Sequence, residues 1–276
     1  MYKISKPLDL IWSELWVEPL FRLGIFVKLC FIIFLLPSIQ VEWFVPFLIN
    51  SIEKPSLYPW SSFLEFGGNS LAFPYGPVML IFHLPTTFMG WIIDNIFTYE
   101  YFTNFGFRLS LLIADLWLLT ILLQSFESYW KKILIFYWLS PLVIFITYWH
   151  GQTDLIPVAL FFYSLLLVKK GNYWLAGLTL ALSVAAKHSM LIGLPFILLY
   201  LWSHNGVNRE FQRFLFSFFF LLIFIEMPFF LSDGFRSMVL ENREVDKLYW
   251  LFIDMGQNNL IFLTPLIYFL LIYFFW

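Results

Sequence analysis

Apolar residues run along this chain in long continuous stretches, not in the two-residue alternation of a half-buried strand. Stretches at about 23–39, 105–125, 133–149, 153–168, 172–187, 189–202, 211–231 and 260–276 are long enough, or nearly so, to cross a bilayer as helices. A transmembrane barrel would instead show alternating segments of about ten residues. One further stretch, 76–97, differs internally. It opens on Phe73-Pro74-Tyr75-Gly76-Pro77 and is interrupted by His83 and Pro85. A proline inside a helix removes a backbone hydrogen bond that lipid cannot replace. The pattern therefore predicts an all-α, polytopic transmembrane bundle of about eight spans, with 76–97 as a broken surface helix that does not cross.

The polar punctuation sets the orientation. Lys131-Lys132, Lys169-Lys170 and the pair Arg209 and Arg213 occupy three short connectors that alternate along the chain, so all three are expected in the cytoplasm. The N-terminus, with Lys3, Lys6 and Arg22, reads the same way. These groups share one side only if 76–97 stays on the other, which makes about 40–104 a large first extracytoplasmic loop. Most carboxylates then fall outside, among them Glu42, Glu53, Glu65, Asp94, Asp154 and Asp233. No cleavable signal peptide is evident, because no small-residue site follows the first apolar run. The last run reaches Trp276 without a basic flank, so the chain either stops there or continues in a longer protein. With no fixed-period repeat and no polar second half, residues 1–276 read as a single integral membrane domain.

Composition narrows the class further. Of 276 residues, 61% are hydrophobic and 12% charged, about half the charge of a soluble domain. Aromatic residues make up 23%, a load that a bilayer solvates and a soluble core could not bury. A net charge of −2 excludes a nucleic-acid partner, and the single Cys30 excludes a disulfide scaffold. Membrane lipids are the implied surroundings.

The densest polar signal is Tyr148-Trp149-His150-Gly151-Gln152-Thr153-Asp154, at the junction of two predicted spans. A helix cap uses one such residue. His150, Gln152 and Asp154 together are costly at an interface unless they meet water or a ligand. Lys187-His188, between two short apolar runs, is an isolated cation suited to anchoring a phosphate, or a lysine snorkelling from a helix end. In the first outer loop, Glu42 follows the first span directly and Glu65 precedes Gly67-Gly68. Either is a candidate general base, and Glu42, beside Trp43-Phe44, is the better held. Arg108 and Asp115, seven residues apart on one helix face, read as bundle-stabilising groups, as do Lys28 and Glu226. In the loop 232–258, Arg243 is placed to fold over a cavity and meet an anion, or to remain a solvated side chain. His150 and Asp154, if on one helix face, could share a divalent cation such as Mg or Mn, although two ligands do not complete a site.

Five segments, read in order over about 70–232, resemble the GT-C superfamily of polyprenyl-phosphate-sugar-dependent glycosyltransferases. They are nearest to the dolichyl-phosphate-glucose glucosyltransferases and related bacterial membrane proteins. Phe73-Pro74-Tyr75-Gly76-Pro77 is similar to that family's Asp-Tyr-Pro-Pro turn, and Arg108 through Ala114-Asp115 to its Arg-to-Ala-Asp helix. Trp138-Leu139-Ser140-Pro141 with His150-Gly151-Gln152-Thr153-Asp154 is similar to its Tyr-Pro and His-Phe-Gln-Tyr-Asn stretches. Ala186-Lys187-His188-Ser189-Met190 before Leu194-Pro195-Phe196 is similar to Tyr-Lys-Gln-Met before Leu-Pro-Phe, and Met227-Pro228-Phe229-Phe230 to Leu-Pro-Phe-Phe. The resemblance implies transfer of one sugar, with inversion, from a polyprenyl-phosphate donor to a lipid-linked or surface glycan on the extracytoplasmic face. It further implies Lys187 at the donor phosphate, with Tyr75, His188 and an arginine of the late loop nearby. The family's catalytic Asp after the first span has no Asp counterpart here, and Glu42 is the best-placed substitute. A flippase, a transporter, an assembly subunit or a glycan polymerase is the competing reading. A flippase would line several spans with charge, whereas mid-bilayer charge is sparse in this chain.

Overall fold

The computed structural model describes residues 8–241, 249–256 and 260–275. Among the described residues the chain is all-α apart from one short antiparallel strand pair, Phe252–Asp254 with Leu260–Phe262, which the apolar pattern did not predict. Helices α1 (Leu8–Val17) and α2 (Pro19–Phe34) lead into a π-helical turn, Gln40–Phe44. Two short helices follow, α3 (Val45–Glu53) and α4 (Pro59–Glu65), then the long pair α5 (Pro77–Phe97) and α6 (Phe102–Ser125). After α6 comes an irregular stretch containing α7 (Trp130–Ile133) and α8 (Pro141–Ile144), then α9 (Leu155–Lys169) and α10 (Tyr173–Ala186). The remainder comprises α11 (Leu194–Asn205), α12 (Arg209–Glu226), the single turn α13 (Asp233–Phe235) and α14 (Leu263–Phe275).

Short polar turns explain the segmentation. Gly171, at φ +76°, ends α9, and Asn172 caps α10 by accepting from Leu175 N–H at 3.3 Å. Gly206 and Asn208 repeat the device before α12, where Asn208 accepts from the N–H groups of Glu210 and Phe211. The start of α6 is capped from the preceding helix. The buried Asp94 carboxylate accepts from the N–H groups of Tyr101, Phe102 and Thr103 and lies where the helix dipole favours an anion.

Contacts along the helices give the bundle two chemically distinct ends. Antiparallel α2 and α6 are joined by Lys28 to Asp115 and by Tyr101 Oη, which donates to Ile33 O at 2.6 Å. The chain therefore leaves α2 and enters α6 at the same end of the bundle. Next, α9 runs parallel to α6, with Lys169 Nζ at its C-terminal end donating to Ser125 O at the C-terminal end of α6 at 2.7 Å. Ser183 of α10 donates to Pro157 O, and Gly177 lets α12 approach so closely that a Cβ there would lie 2.3 Å from Phe214 O. One end thus gathers Ser125 with Lys169 and Lys170, and Lys170 reaches Gln124 Oε1 at 3.3 Å. The opposite end gathers the π-helical turn, the Pro-Tyr-Gly-Pro turn, the His150–Asp154 turn and Lys187-His188.

The expected break in 76–97 is corrected. Helix α5 runs unbroken through Pro85 for 21 residues. Close packing against α6 holds it together: a Cβ on Gly90 would meet Phe102 O at 2.0 Å, and one on Gly106 would meet Thr86 O at 2.1 Å. Buried His83 adds a bond between its Nδ1 and Ser110 Oγ at 2.5 Å and stacks on Phe107. By length and composition, α5 and α6 are the two described helices able to cross a membrane, or three spans if the bent pair Glu127–Trp138 and Pro141–Trp149 counts as one. Leu155–Lys169, Tyr173–Ala186, His188–His204 and Leu263–Phe275 are shorter apolar helices. The turns that bound α9 and α10 leave them at 15 and 14 residues, shorter than the runs read from the sequence.

Candidate functional site

The site is built by turns that the bundle brings together. The π-helical turn places Gln40 inward, and its Nε2 donates to Gly151 O at 3.1 Å. Gly151, at φ +90°, packs so closely that a Cβ would lie 2.9 Å from Gln40 Cγ and from Pro37 Cβ. Phe44 of the same turn meets Phe73, Tyr75 and Phe107, while Phe47 stacks on Phe73 at 4.4 Å. This aromatic floor supports the Phe73–Pro77 turn, whose Gly76 N–H donates to Ala186 O at 3.0 Å. A Cβ on Gly76 would lie 2.0 Å from Ala185 O, so only glycine lets the turn seat on the end of α10. The next residue is Lys187.

Lys187 Nζ donates to Asp154 Oδ1 at 2.5 Å, and the two side chains remain 30% and 42% exposed. The same ammonium lies 5.6 Å from the centroid of the buried Tyr75 ring. Beside it, His188 Nε2 donates to Glu226 Oε1 at 2.6 Å, with the His ring 31% exposed and the carboxylate 9%. Glu226 also lines a groove of about 470 Å³ on the end of α12, otherwise walled by Leu222, Ile223, Met227, Phe230 and Leu231. Ser61 of α4 and Ser232 exchange a hydrogen bond at 2.8 Å, and Gly234 N–H donates to Ser61 Oγ, which brings α4 and α13 to the same end.

The anticipated residues differ in how near they come to this cradle. Tyr75, Asp154, Lys187 and His188 converge on this cradle. The His150 and Gln152 positions lie on the adjoining turn, His150 exposed and Gln152 half-buried, with Gln152 N–H donating to Ile146 O. Glu42 is exposed on the π-helical turn, between Gln40 on the Gly151 turn and Phe44 on Tyr75, and makes no hydrogen bond among the described residues. Glu65 is exposed at the far end of α4, and Arg243 lies outside the described residues.

Two expectations need correction. Lys187 is not an isolated cation, because Asp154 already holds it. Asp154 occupies the N-cap position of α9, yet its side chain makes no capping bond and reaches across to Lys187 instead. His150 and Asp154 do not share a helix face, since the positive φ of Gly151 turns the chain between them. No group of three or more His, Cys, Asp or Glu suited to a metal occurs among the described residues. Glu226, read from the sequence as structural, is the partner of His188. Its signal was visible as a lone carboxylate ending an otherwise apolar run before Met227-Pro228.

The bundle-stabilising reading of Arg108, Asp115 and Lys28 matches their contacts. Asp115 accepts from Lys28 Nζ at 2.6 Å, Tyr137 Oη at 2.7 Å and Tyr148 Oη at 2.6 Å. Lys28 Nζ also sits 3.3 Å from the Trp138 ring centroid. Arg108 donates to the carbonyls of Ile32, Leu35 and Tyr148, so one guanidinium ties the end of α2 to the strand of chain that enters the His150 turn.

An all-α chain with helices able to cross a bilayer, carrying paired charges over an aromatic floor at one end, defines an integral membrane protein with a polar site at the bundle end. Residues 73–240 match the family described as glycosyltransferase family 87. With more than half of its length so matched, the chain belongs to that family and is a membrane glycosyltransferase. No curated protein and no solved structure matches it.

Proposed function

We propose that this glycosyltransferase is of the GT-C type and transfers one hexose, with inversion, from a polyprenyl-phosphate donor. The acceptor is a hydroxyl of a lipid-linked or surface glycan, and the reaction takes place on the extracytoplasmic face. The observation that carries the reading is the Lys187–Asp154 pair beside Tyr75, partly open to water at the bundle end opposite the basic turns. A donor phosphate takes over the ammonium from Asp154 at little cost, because both groups are partly solvated and the pair is worth little in water. The groove beside Glu226 is apolar enough to take the first isoprene units of the donor. Glu42, exposed and unbonded among the described residues, is the base that deprotonates the acceptor hydroxyl for attack on the anomeric carbon. Lys187 then stabilises charge developing on the leaving phosphate, with His150 and Gln152 on the adjoining turn within the acceptor's approach. Arg243 is the proposed late-loop contact to the donor. A divalent cation remains a proposal resting on Asp154 alone, tested by transfer in the presence of a chelator.

Eight crossings are part of the same reading, with α5 kept on the outer side so that the N-terminus and the three basic turns share the opposite side. The deciding experiment incubates purified protein in lipid vesicles with radiolabelled polyprenyl-phosphate hexoses and follows label transfer to acceptor lipid. Absence of transfer from every such donor would overturn the proposal. Sidedness is read separately in a Cys30→Ser background. Single cysteines at Ser56 and His150 should react with an impermeant thiol reagent from outside, and one at Ser128 should not. All three positions are exposed.

A further inference from the structure

Two ion pairs stand side by side at this site, and they are built differently. Lys187 and Asp154 are both well exposed, whereas His188 is tethered to a carboxylate that is 9% exposed at the end of α12. An exposed pair opens readily. A ring held by a buried carboxylate keeps one orientation, because Glu226 can find no substitute partner in the apolar wall of Leu222, Ile223 and Met227. Nε2 is occupied by Glu226, so Nδ1 is the nitrogen left to work. The ring edge lies against Phe235, with centroids 6.4 Å apart at 77°, which restrains it from a second side.

We propose that His188 is the proton donor to the leaving phosphate, through Nδ1, and that Glu226 is the positioning residue that aims it. The assignment rests on the reading of a polyprenyl-phosphate donor given above. The groove containing Glu226 decides between the two ends of the reaction. It is apolar and suits the lipid chain of the leaving group, so the neighbouring ring meets the phosphate rather than the acceptor sugar.

The step balances without a further reagent. The acceptor oxygen forms a bond to the anomeric carbon and passes its proton to the Glu42 carboxylate. The bond from that carbon to the phosphate oxygen breaks with its electron pair going to oxygen, which takes the proton from His188 Nδ1. Polyprenyl phosphate leaves as its monoanion, and water then restores the proton to His188 and removes that on Glu42.

The test uses the full chain in vesicles with two polyprenyl-phosphate-hexose donors. One is unmodified, and the other carries fluorine next to the phosphate ester, which makes the leaving phosphate less basic. His188→Gln should lower kcat on the ordinary donor by about 10²–10⁴-fold with donor KM nearly unchanged, as expected for loss of an acid used only in the transition state. On the fluorinated donor its loss should shrink by a few-fold, roughly as the phosphate's lower basicity dictates, while the loss in Glu42→Gln stays the same on both. Glu226→Gln should share the leaving-group pattern of His188→Gln at smaller amplitude, and Glu226→Asp should recover part of the rate, a rescue that a merely structural role would not give. Equal losses of His188→Gln on both donors, or an effect confined to KM, would overturn the assignment and leave the donor reading intact. Failure of the wild-type protein to use either donor would instead remove that reading and this inference with it.

Discussion

Two lysine–aspartate pairs occur in this protein with nearly the same bond length and opposite settings. Lys28 and Asp115 meet at 2.6 Å with both side chains at 0% exposure, in the middle of the α2–α6 contact. Lys187 and Asp154 meet at 2.5 Å with both side chains about a third or more exposed, at the bundle end. The inner pair is enclosed: Asp115 also accepts from Tyr137 and Tyr148, and Lys28 faces the Trp138 ring. At 0% exposure neither member is open to a ligand, and losing either strands the other in an apolar interior. The outer pair is open to water, which competes for its ammonium. Lysine and aspartate at hydrogen-bonding distance are therefore a lock in one place and a ligand site in the other, and solvent access makes the difference.

The comparison is broken most severely at the inner pair. Asp115→Ala should destabilise the protein by about 3–5 kcal/mol, because it leaves Lys28 buried without a counter-ion. Thermal denaturation in detergent would show a large drop in midpoint, and the double variant Lys28→Met with Asp115→Leu should recover much of it. Recovery to the level of the single variant only would mean that the tyrosine contacts of Asp115, and not charge, hold this region.

Next in size is the base. Glu42→Gln should lower transfer by about 10²–10⁴-fold with an unchanged melting midpoint, and Glu65→Gln should lower it far less. The reversed order would move the base to Glu65, although its exposed position at the end of α4 offers nothing to hold it.

The outer pair should respond in the opposite sense to the inner one. Lys187→Met should alter stability by no more than about 1 kcal/mol, as for an exposed ion pair, while weakening donor binding by roughly 10–100-fold through loss of a charge-assisted contact. Donor titration and melting on the same sample separate the two effects. A stability loss as large as that of Asp115→Ala would place Lys187 among the structural residues.

The smallest change tests how the first loop couples to this pair. Gly76→Ala adds a Cβ that would meet Ala185 O at 2.0 Å, so the turn must lift from α10. Tyr75 would then move from the Lys187 ammonium, and donor KM should rise by several-fold, roughly the worth of one cation–π contact. Unchanged KM would show that the turn supports the fold without reaching the donor.

Much of this was legible in the residues alone. Continuous apolar runs specify helices in lipid, because backbone groups there must be satisfied within each segment. The polar knot from Tyr148 to Asp154, the Lys187-His188 step and the Pro-Tyr-Gly-Pro turn stand out because polar and helix-breaking groups are expensive at those positions. The structural reading of Arg108, Asp115 and Lys28 was also available, since a charge within an apolar run needs a partner. Partner identity was not. Lys187 lies 33 residues from Asp154 and His188 lies 38 from Glu226, separations across which sequence spacing carries no information. Asp154 stands where a local cap was available, yet tertiary contact with Lys187 won over the local bond. Pro85 read as a break because it removes a hydrogen bond, yet packing at Gly90 and Gly106 keeps α5 intact. Local chemistry therefore determined the helices and marked the groups that need partners. Only the folded bundle decided which groups became partners, because pairing depends on which helix ends meet in space.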